Sequence, residues 1–131
     1  HYPLRRQRQM CIRDRIFNTY GPRMQINDGR VISNFINQSI NNSDITIYGD
    51  GSQTRSFCYV TDIIAGLVKL MDSDYQNPMN LGNDEEYSIL DTANQIVKNM
   101  DSSSQIVFKD LPENDPLKRK PNLSLAREII N

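Results

Sequence analysis

Three loops of the sequence concentrate side chains that could bind a polar or anionic ligand. The first runs from Asn18 to Arg23 and follows a predicted strand. Ligands of open α/β sheets bind at the carboxyl ends of the strands, because the loops converge there. The Asn18 amide can both donate and accept a hydrogen bond, which suits a nucleobase or a sugar hydroxyl. An Asx-type turn ahead of Gly21-Pro22 would explain the same asparagine equally well.

The second loop, from Tyr48 to Arg55, combines two glycines with an arginine. Glycine lets the backbone approach a ligand closely, and the planar guanidinium group of Arg55 matches the geometry of a phosphate. No Gly-Lys-Ser/Thr follows, so this is not a Walker loop. The alternative is an ordinary hairpin whose arginine is a solvated surface charge.

The third loop places Lys118, Arg119 and Lys120 between two prolines, within a polar segment that we predict to be a loop from Pro112 to Pro121. Such a run either stays solvated or binds an anion. Nucleic acid is a poor candidate for that anion. The first 15 residues hold five arginines and one aspartate, which leaves ten basic and fifteen acidic residues in 16–131, with no basic stripe among aromatics.

Several kinds of chemistry are excluded by composition. The only histidine is His1, and Cys11 and Cys58 form neither a disulfide framework nor a metal-ligand spacing, so we predict no metal site. We place the Asp84-Glu85-Glu86 run on an exposed turn and do not expect it to act as a general acid and base. No apolar run approaches the roughly 20 residues that a membrane-spanning helix needs.

Residues 1–14 differ from the rest because they show no periodicity and no apolar stretch. They could be a basic arm for phosphate or lipid headgroups. We favour a disordered or non-native leader, and expect one ligand-binding domain at 15–131.

The elements that must position these loops alternate between strands and helices. Residues 15–18 are expected to end a buried strand, and further extended segments are predicted at 45–48, 56–60, 78–82 and 106–108. Helices are predicted where apolar residues recur at helical spacing: around Val31 to Ile40, after Thr61, after Ser88 and from Leu123 to Ile130. Thr61 and Ser88 are the expected helix caps, and Asp62 is expected in the first turn of the second helix. The predicted buried face of this second helix consists of Ile63, Ile64, Leu67, Val68 and Met71.

This alternation indicates an α/β or α+β-like fold. The strands are too short and too few for a complete doubly wound sheet. We therefore expect part of a larger architecture.

Six motifs occur in a fixed order along the chain. They are RIFNTYGPRM (15–24), NDGRVISNF (27–35), YGDGSQTRSF (48–57), YVTD (59–62), NLGN (80–83) and KRKP (118–121). In this order they resemble the nucleotide-sugar branch of the extended short-chain dehydrogenases, the NAD-dependent epimerase/dehydratase family. The combination of GPRM, NDGRV and RKP is most similar to the UDP-glucuronate decarboxylases, also called UDP-xylose synthases. Each motif alone also resembles those of dTDP-glucose 4,6-dehydratases and epimerases, which are the alternative assignment.

The resemblance implies a two-part enzyme, with a Rossmann domain for NAD and a C-terminal part that binds the UDP-sugar. In that chemistry the C4 hydroxyl of the sugar is oxidised, carbon dioxide leaves the resulting β-keto acid, and the ketone is reduced again to give UDP-xylose. Sugar and cofactor must be held together throughout.

The same resemblance implies a role for individual residues. Asn18, Thr46, Tyr48, Arg55 and Arg119 would bind the substrate, with Arg55 on the diphosphate. Arg119 would also be catalytic, as a ligand of the carboxylate or as a proton donor. Thr19 and Arg30 would contact NAD. We expect Asn18, Arg55 and Arg119 to converge on one pocket.

Two hallmarks of the family are missing from the 131 residues. No glycine-rich Gly-x-x-Gly-x-x-Gly loop is present, and no tyrosine is followed four residues later by lysine. We therefore expect a C-terminal fragment of an enzyme that is inactive by itself, or a non-catalytic nucleotide-sugar-binding module. The resemblance further implies a homodimeric parent protein. The lack of a targeting segment favours the cytoplasm, and the Golgi lumen is the alternative if an N-terminal anchor has been lost.

Overall fold

The computed structural model describes residues 15–26, 28–111 and 118–130. These residues fold into two compact units. The first unit contains the described residues up to 19, residues 56–85 and those from 120 onward, and the second contains the described residues of 20–55 and 86–119. The predicted mixture of helices and strands is confirmed. The predicted leader, Asn27 and most of the predicted proline-bounded loop (112–117) lie outside the described residues.

In chain order the described elements are β1 (Arg15–Ile16), β2 (Thr19–Tyr20), α1 (Val31–Ile40), β3 (Ile45–Tyr48), β4 (Thr54–Arg55), β5 (Cys58–Tyr59), α2 (Val60–Asp72), β6 (Asn80–Leu81), β7 (Tyr87–Ser88), α3 (Ile89–Asn99), β8 (Ile106–Lys109), β9 (Lys118–Arg119) and α4 (Ser124–Ile130).

In the first unit, β1 and β6 run parallel, with Arg15 opposite Asn80 and Ile16 opposite Leu81. Helix α2 lies between these strands along the chain, as a parallel connection requires. The prediction that the first strand is buried is wrong, since Ile16 is 52% exposed. Among the described strands β1 has β6 as its only partner, so little of its surface is covered.

The core of the first unit forms where α2 meets β6 and α4. It consists of Cys58, Ile63, Leu70, Met79 and Leu81, with Leu67, Tyr75, Ala126 and Ile130 packed against it. Burial raises the pKa of the Cys58 thiol, and the nearby Asp62 charge adds to that effect. The thiol therefore stays protonated and serves as a packing group.

The predicted buried face of α2 is only partly correct. Ile63 is buried as expected and Leu67 lies against the core, but Ile64, Val68 and Met71 are each more than 40% exposed. Leu70 is buried in their place. Apolar residues on two faces of a helix do not reveal from spacing alone which face is covered.

The beginning of α2 also differs from the prediction. The helix begins at Val60, and its N-cap residue Tyr59 makes no side-chain capping hydrogen bond. Thr61 therefore lies inside the first turn and is not the cap, whereas Asp62 is in the first turn as predicted. The extended segment expected at 56–60 is confirmed only for β5.

In the second unit, β3 and β8 run parallel over four residues, from Ile45 opposite Ile106 to Tyr48 opposite Lys109. Ile45 and Ile47 are fully buried beneath α1 and α3, where Phe35 and Ala93 complete the packing. Helix α3 begins at its predicted cap: the Ser88 hydroxyl accepts a hydrogen bond from the Asp91 N–H at 2.9 Å.

A three-stranded sheet in the order β7-β4-β9 completes the second unit. Strand β4 is antiparallel to β7 and parallel to β9. Lys118 and Arg119 therefore form a strand, and their prediction as part of a loop is wrong. Their pairing partner lies more than 60 residues away along the chain, so no local pattern reveals the strand.

None of the helices formed by described residues has the length and hydrophobicity that a bilayer crossing requires.

Candidate functional site

Two arginines lie side by side on the three-stranded sheet of the second unit. Arg55 in β4 is in register with Arg119 in β9, and on its other side with Tyr87 in β7. Side chains that are opposite one another on neighbouring strands project from the same face of a sheet. The fold thus brings together two cations that are far apart in sequence.

Arg55 is only 6% exposed, and its Nη1 donates to the Thr54 carbonyl oxygen at 2.8 Å. A charged group is buried at high cost unless other groups compensate it. The alternative of a solvated surface arginine is therefore excluded. The loop is also not a hairpin, because β3 pairs with β8 and β4 pairs with β7 and β9.

The loop from Tyr48 to Arg55 is held by its own side chains. Gly49 and Gly51 adopt positive φ angles of 74° and 77°, a region that favours glycine. The Asp50 carboxylate accepts from the Ser52 N–H at 2.9 Å and from the Ser52 hydroxyl at 2.6 Å, and these bonds lower the pKa of Asp50. The buried Gln53 side chain donates from Nε2 to the Tyr48 carbonyl oxygen.

Thr46 and Tyr48, the other predicted substrate ligands of this unit, both lie in β3. Thr46 is half-buried and already bonded to helix α1: its N–H donates to Gln38 Oε1 at 3.3 Å, and its hydroxyl accepts from Gln38 Nε2 at 3.4 Å. Tyr48 is 48% exposed at the end of the strand. Tyr48 is thus open to a ligand, whereas Thr46 mainly joins α1 to β3.

A cleft of about 520 Å³ opens beside this end of β3. It is lined by Gly49, Asp50 and the segment from Phe108 to Leu111. The two arginines are not among its lining residues, so this cleft and the Arg55–Arg119 face are separate features of the second unit.

Arg30, a predicted cofactor ligand, is the N-cap residue of α1. Its backbone N–H donates to Asp28 Oδ1 at 3.0 Å, and its Nε lies 3.5 Å from Asp28 Oδ2. The Ser33 hydroxyl also donates to Asp28. The Ser33 hydrogen bond, followed by the Arg30 N–H and charge, lowers the pKa of Asp28. The side chain of Arg30 is 65% exposed.

In the first unit, Asn18 and Thr19 carry buried polar atoms that have no partner in the described part of the chain. Asn18 Nδ2 and Thr19 Oγ1 make no hydrogen bond to any described residue. The Asn18 backbone has a positive φ of 33°, and its carbonyl accepts from the Cys58 N–H at 3.2 Å. Since buried polar groups are normally satisfied, these atoms are suited to a ligand.

The sequence predicts that Asn18, Arg55 and Arg119 converge on one pocket. Arg55 and Arg119 are brought together, whereas Asn18 belongs to the first unit. The convergence of Asn18 with the arginines stays a prediction.

Sequence reasoning missed the contacts that Glu86 and Gln53 make. Of the three acidic residues assigned to an exposed turn, only Glu85 is exposed. Asp84 accepts two hydrogen bonds from Arg127 Nη2, and Glu86 contacts Thr54 and Lys118. The sequence does not indicate that Gln53 is buried or that it bonds to Tyr48, since the only local feature is its position between two glycines and an arginine. No group of metal-ligating side chains occurs within the described part of the chain.

Comparison with known proteins adds independent information. The model of the NAD dependent epimerase/dehydratase family matches residues 6–82. UDP-glucuronic acid decarboxylase 1 of Arabidopsis thaliana is 52% identical over 117 residues, which cover 89% of this chain and 27% of that protein. The enzyme of the same name from Xenopus tropicalis is 47% identical over 116 residues, 88% of this chain and 28% of that protein. The chain thus spans roughly a quarter of the length of these relatives.

The fold is also similar to that of a solved enzyme. UDP-glucuronic acid 4-epimerase from Bacillus cereus, in complex with UDP-glucuronic acid and NAD, superposes with a TM-score of 0.80 at 29% identity. The match covers 89% of this chain and 38% of that one. The resemblance inferred from the six motifs is thereby confirmed.

Proposed function

We propose, because the chain belongs to the NAD dependent epimerase/dehydratase family, that it is part of a UDP-glucuronate decarboxylase and that residues 15–131 bind the nucleotide sugar. The similarity to enzymes of that name supports the reaction. The structural observation that carries the proposal is the buried Arg55 in register with Arg119. Two arginines in register on neighbouring strands suit a ligand with several negative charges.

The positions of the residues in the second unit support a proposed role for each. Arg55 binds the diphosphate, because its planar group is fixed by burial and by the Thr54 carbonyl. Tyr48 contacts the nucleotide through its exposed ring. Thr46, in the middle of β3, also contacts the nucleotide. Arg119 is more exposed than Arg55, and it holds the sugar carboxylate until the bond to carbon dioxide breaks. The electron pair of that bond moves to the C4 ketone.

NAD is the cofactor that the family implies, and the residues present fit it. Asn18 Nδ2 and Thr19 Oγ1 are buried without a partner among the described residues. Thr19 would bind the cofactor through its hydroxyl, Asn18 would bind the sugar, and Arg30 would offer its exposed guanidinium group to a cofactor phosphate. When bound, NAD would supply the hydride acceptance that oxidises C4 and the hydride return that later reduces it.

We further propose that the 131 residues bind a nucleotide sugar without turning it over. The family's proton-abstracting tyrosine and its lysine have no counterpart in the sequence. Isothermal titration of the chain with UDP should show binding, while incubation with UDP-glucuronate and NAD should release no carbon dioxide. Absence of UDP binding would contradict the binding role, and turnover would contradict the predicted inactivity.

The reaction itself is tested on the longer protein that contains this sequence. Incubation with UDP-glucuronate and NAD is expected to release carbon dioxide and yield UDP-xylose. The similarity to a UDP-glucuronic acid 4-epimerase favours one second candidate. That activity would give UDP-galacturonate and no carbon dioxide, so the product distinguishes the two. A 4-keto-6-deoxy sugar made from dTDP-glucose would instead indicate a dehydratase.

The assembly and location of the parent protein are also proposals. We propose a homodimer in the cytoplasm. Light scattering of the purified protein tests the first, and microscopy of a fluorescent fusion tests the second. A monomer would contradict the proposed homodimer, and fluorescence in the Golgi would contradict the proposed cytoplasmic location.

A further inference from the structure

We infer that Glu86 is a positioning residue that holds β9 against β4 and thereby keeps Arg119 in register with Arg55. The inference rests on the proposed nucleotide-sugar function and deepens it. It assigns a role to a carboxylate that does not need to touch the ligand.

The two oxygens of the Glu86 carboxylate contact two different strands. The Thr54 hydroxyl in β4 donates to Oε1 at 2.8 Å. The Lys118 ammonium group in β9 lies 3.2 Å from Oε2. Glu86 itself directly precedes β7, so one side chain links all three strands of the sheet. It is 19% exposed, whereas Lys118 is 66% exposed.

The contacts of Glu86 and the two arginines lie on opposite faces of the same sheet. Thr54 is in register with Lys118, and Arg55 is in register with Arg119. Successive residues of a strand project to opposite faces. The Glu86 contacts therefore fix the same two strands that carry the arginines.

Strand β9 needs such support for two physical reasons. It is only two residues long, so its ladder to β4 contains few hydrogen bonds. In addition, like charges directly opposite one another on neighbouring strands repel. The repulsion is between Arg55 and Arg119 on one face of the sheet. On the opposite face, the attraction between Glu86 and Lys118 offsets it when no anion is bound.

This arrangement also divides the roles within the basic run. Lys118 is engaged by Glu86, whereas Arg119 projects to the face of Arg55. Of these two neighbours, Arg119 is the anion ligand and Lys118 is the structural cation.

The test is a double-mutant cycle on the affinity of the chain for UDP. Glu86→Gln keeps an acceptor for Thr54 but removes the charge opposite Lys118, and should raise the Kd about three- to tenfold. Glu85→Gln, which makes the same charge change at the exposed neighbouring residue, should leave the Kd within a factor of two. If Glu86 acts through Arg119, the effect of Glu86→Gln should largely disappear in an Arg119→Met background. An equal effect in both backgrounds would overturn the inference.

A second measurement does not depend on UDP binding. Amide hydrogen exchange in β4 and β9 of the ligand-free chain should be faster in Glu86→Gln than in Glu85→Gln, with unchanged exchange in β3 and β8. If UDP fails to bind but β9 exchanges faster, the proposed function fails and the role of Glu86 stands. Unchanged exchange in β9 would overturn the role of Glu86 whatever the binding result.

Discussion

Arg55 is the residue whose environment says most about function. It is almost completely buried, it donates to the Thr54 carbonyl, and it is in register with a second arginine. A buried lysine could supply the same charge, but only arginine offers a planar fork with donors in fixed positions. The geometry of the group, and not only its charge, is therefore expected to matter.

Replacing Arg55 with lysine is expected to weaken UDP binding about tenfold or more, because the bidentate contact to a phosphate is lost while the charge is kept. Isothermal titration measures the change. Arg23→Lys is the matched control, since Arg23 is exposed and lies on neither β4 nor β9. Equal affinities of Arg55→Lys and the wild-type chain would contradict the proposed diphosphate contact.

Because the pKa of Asp28 is lowered, the free energy of unfolding should depend on pH. This pKa is lowered from 3.8 by the Ser33 hydrogen bond and by Arg30, so the folded state favours the ionised form. This contribution is present above pH 3.8 and is lost as the pH falls through the lower pKa of the folded state. The stability advantage of the wild type over Asp28→Asn should therefore shrink in that range.

Urea unfolding of both proteins at a series of pH values measures that advantage. Asp44→Asn serves as the control, because Asp44 is exposed and accepts no hydrogen bond from a described residue. A constant difference between the wild type and Asp28→Asn down to pH 2 would argue against the Asp28 contacts.

At the scale of elements, the predicted N-cap residue is correct for α3 and wrong for α2. Ser88 caps α3 as expected, since its side chain bonds to a backbone N–H in the first turn. Thr61 has the same kind of side chain but lies within α2, where its hydroxyl donates to Asp62 Oδ1 at the long distance of 3.5 Å. The two residues therefore allow a direct comparison of a cap with a non-cap.

Ser88→Ala is expected to destabilise the chain by about 1 kcal/mol, because the Asp91 N–H loses its acceptor. Thr61→Ala should change the free energy of unfolding by less than about 0.5 kcal/mol. Chemical denaturation followed by circular dichroism gives both values. A larger loss for Thr61→Ala than for Ser88→Ala would reverse the assignment of the caps.

The loop before β4 depends on two conditions at Gly51. Its φ is 77°, and an added Cβ would lie 3.0 Å from the Leu90 Cβ. Gly51→Ala is expected to destabilise the chain by about 1–3 kcal/mol through strain and collision. Gly29→Ala is the control, because Gly29 has a φ of 78° but, apart from its chain neighbours, no described residue has an atom within 4 Å of an added Cβ.

The loss in Gly29→Ala, at about 1 kcal/mol, should therefore reflect backbone strain alone. Thermal unfolding of the two variants measures the difference. Equal losses would show that Leu90 moves away without cost.

At the scale of the whole molecule, the features that we propose to bind the ligand all lie within residues 15–131. The arginine pair belongs to the second unit and the unsatisfied Asn18 and Thr19 atoms to the first. The match to the family model begins earlier, at residue 6.

Deletion of residues 1–14 is expected to leave the Kd for UDP and the melting temperature unchanged, because every residue proposed to bind the ligand lies beyond them. Calorimetric titration and thermal unfolding of the shortened chain test this. A weaker affinity of the shortened chain, with a deficit that shrinks at high ionic strength, would instead indicate that the four arginines of residues 1–14 attract the ligand.

The sequence by itself determined the family, the alternation of helices and strands, and the candidate ligands. Local signals sufficed for these: a serine before an apolar repeat, a pair of glycines after a β-branched run, and six motifs in order. The structure alone decided that Arg55 is buried, that β9 exists and pairs with β4, and that Glu86 is bonded to Thr54 and Lys118. Those outcomes depend on contacts between residues 30 or more positions apart, which the packing of the folded chain creates and no local pattern contains.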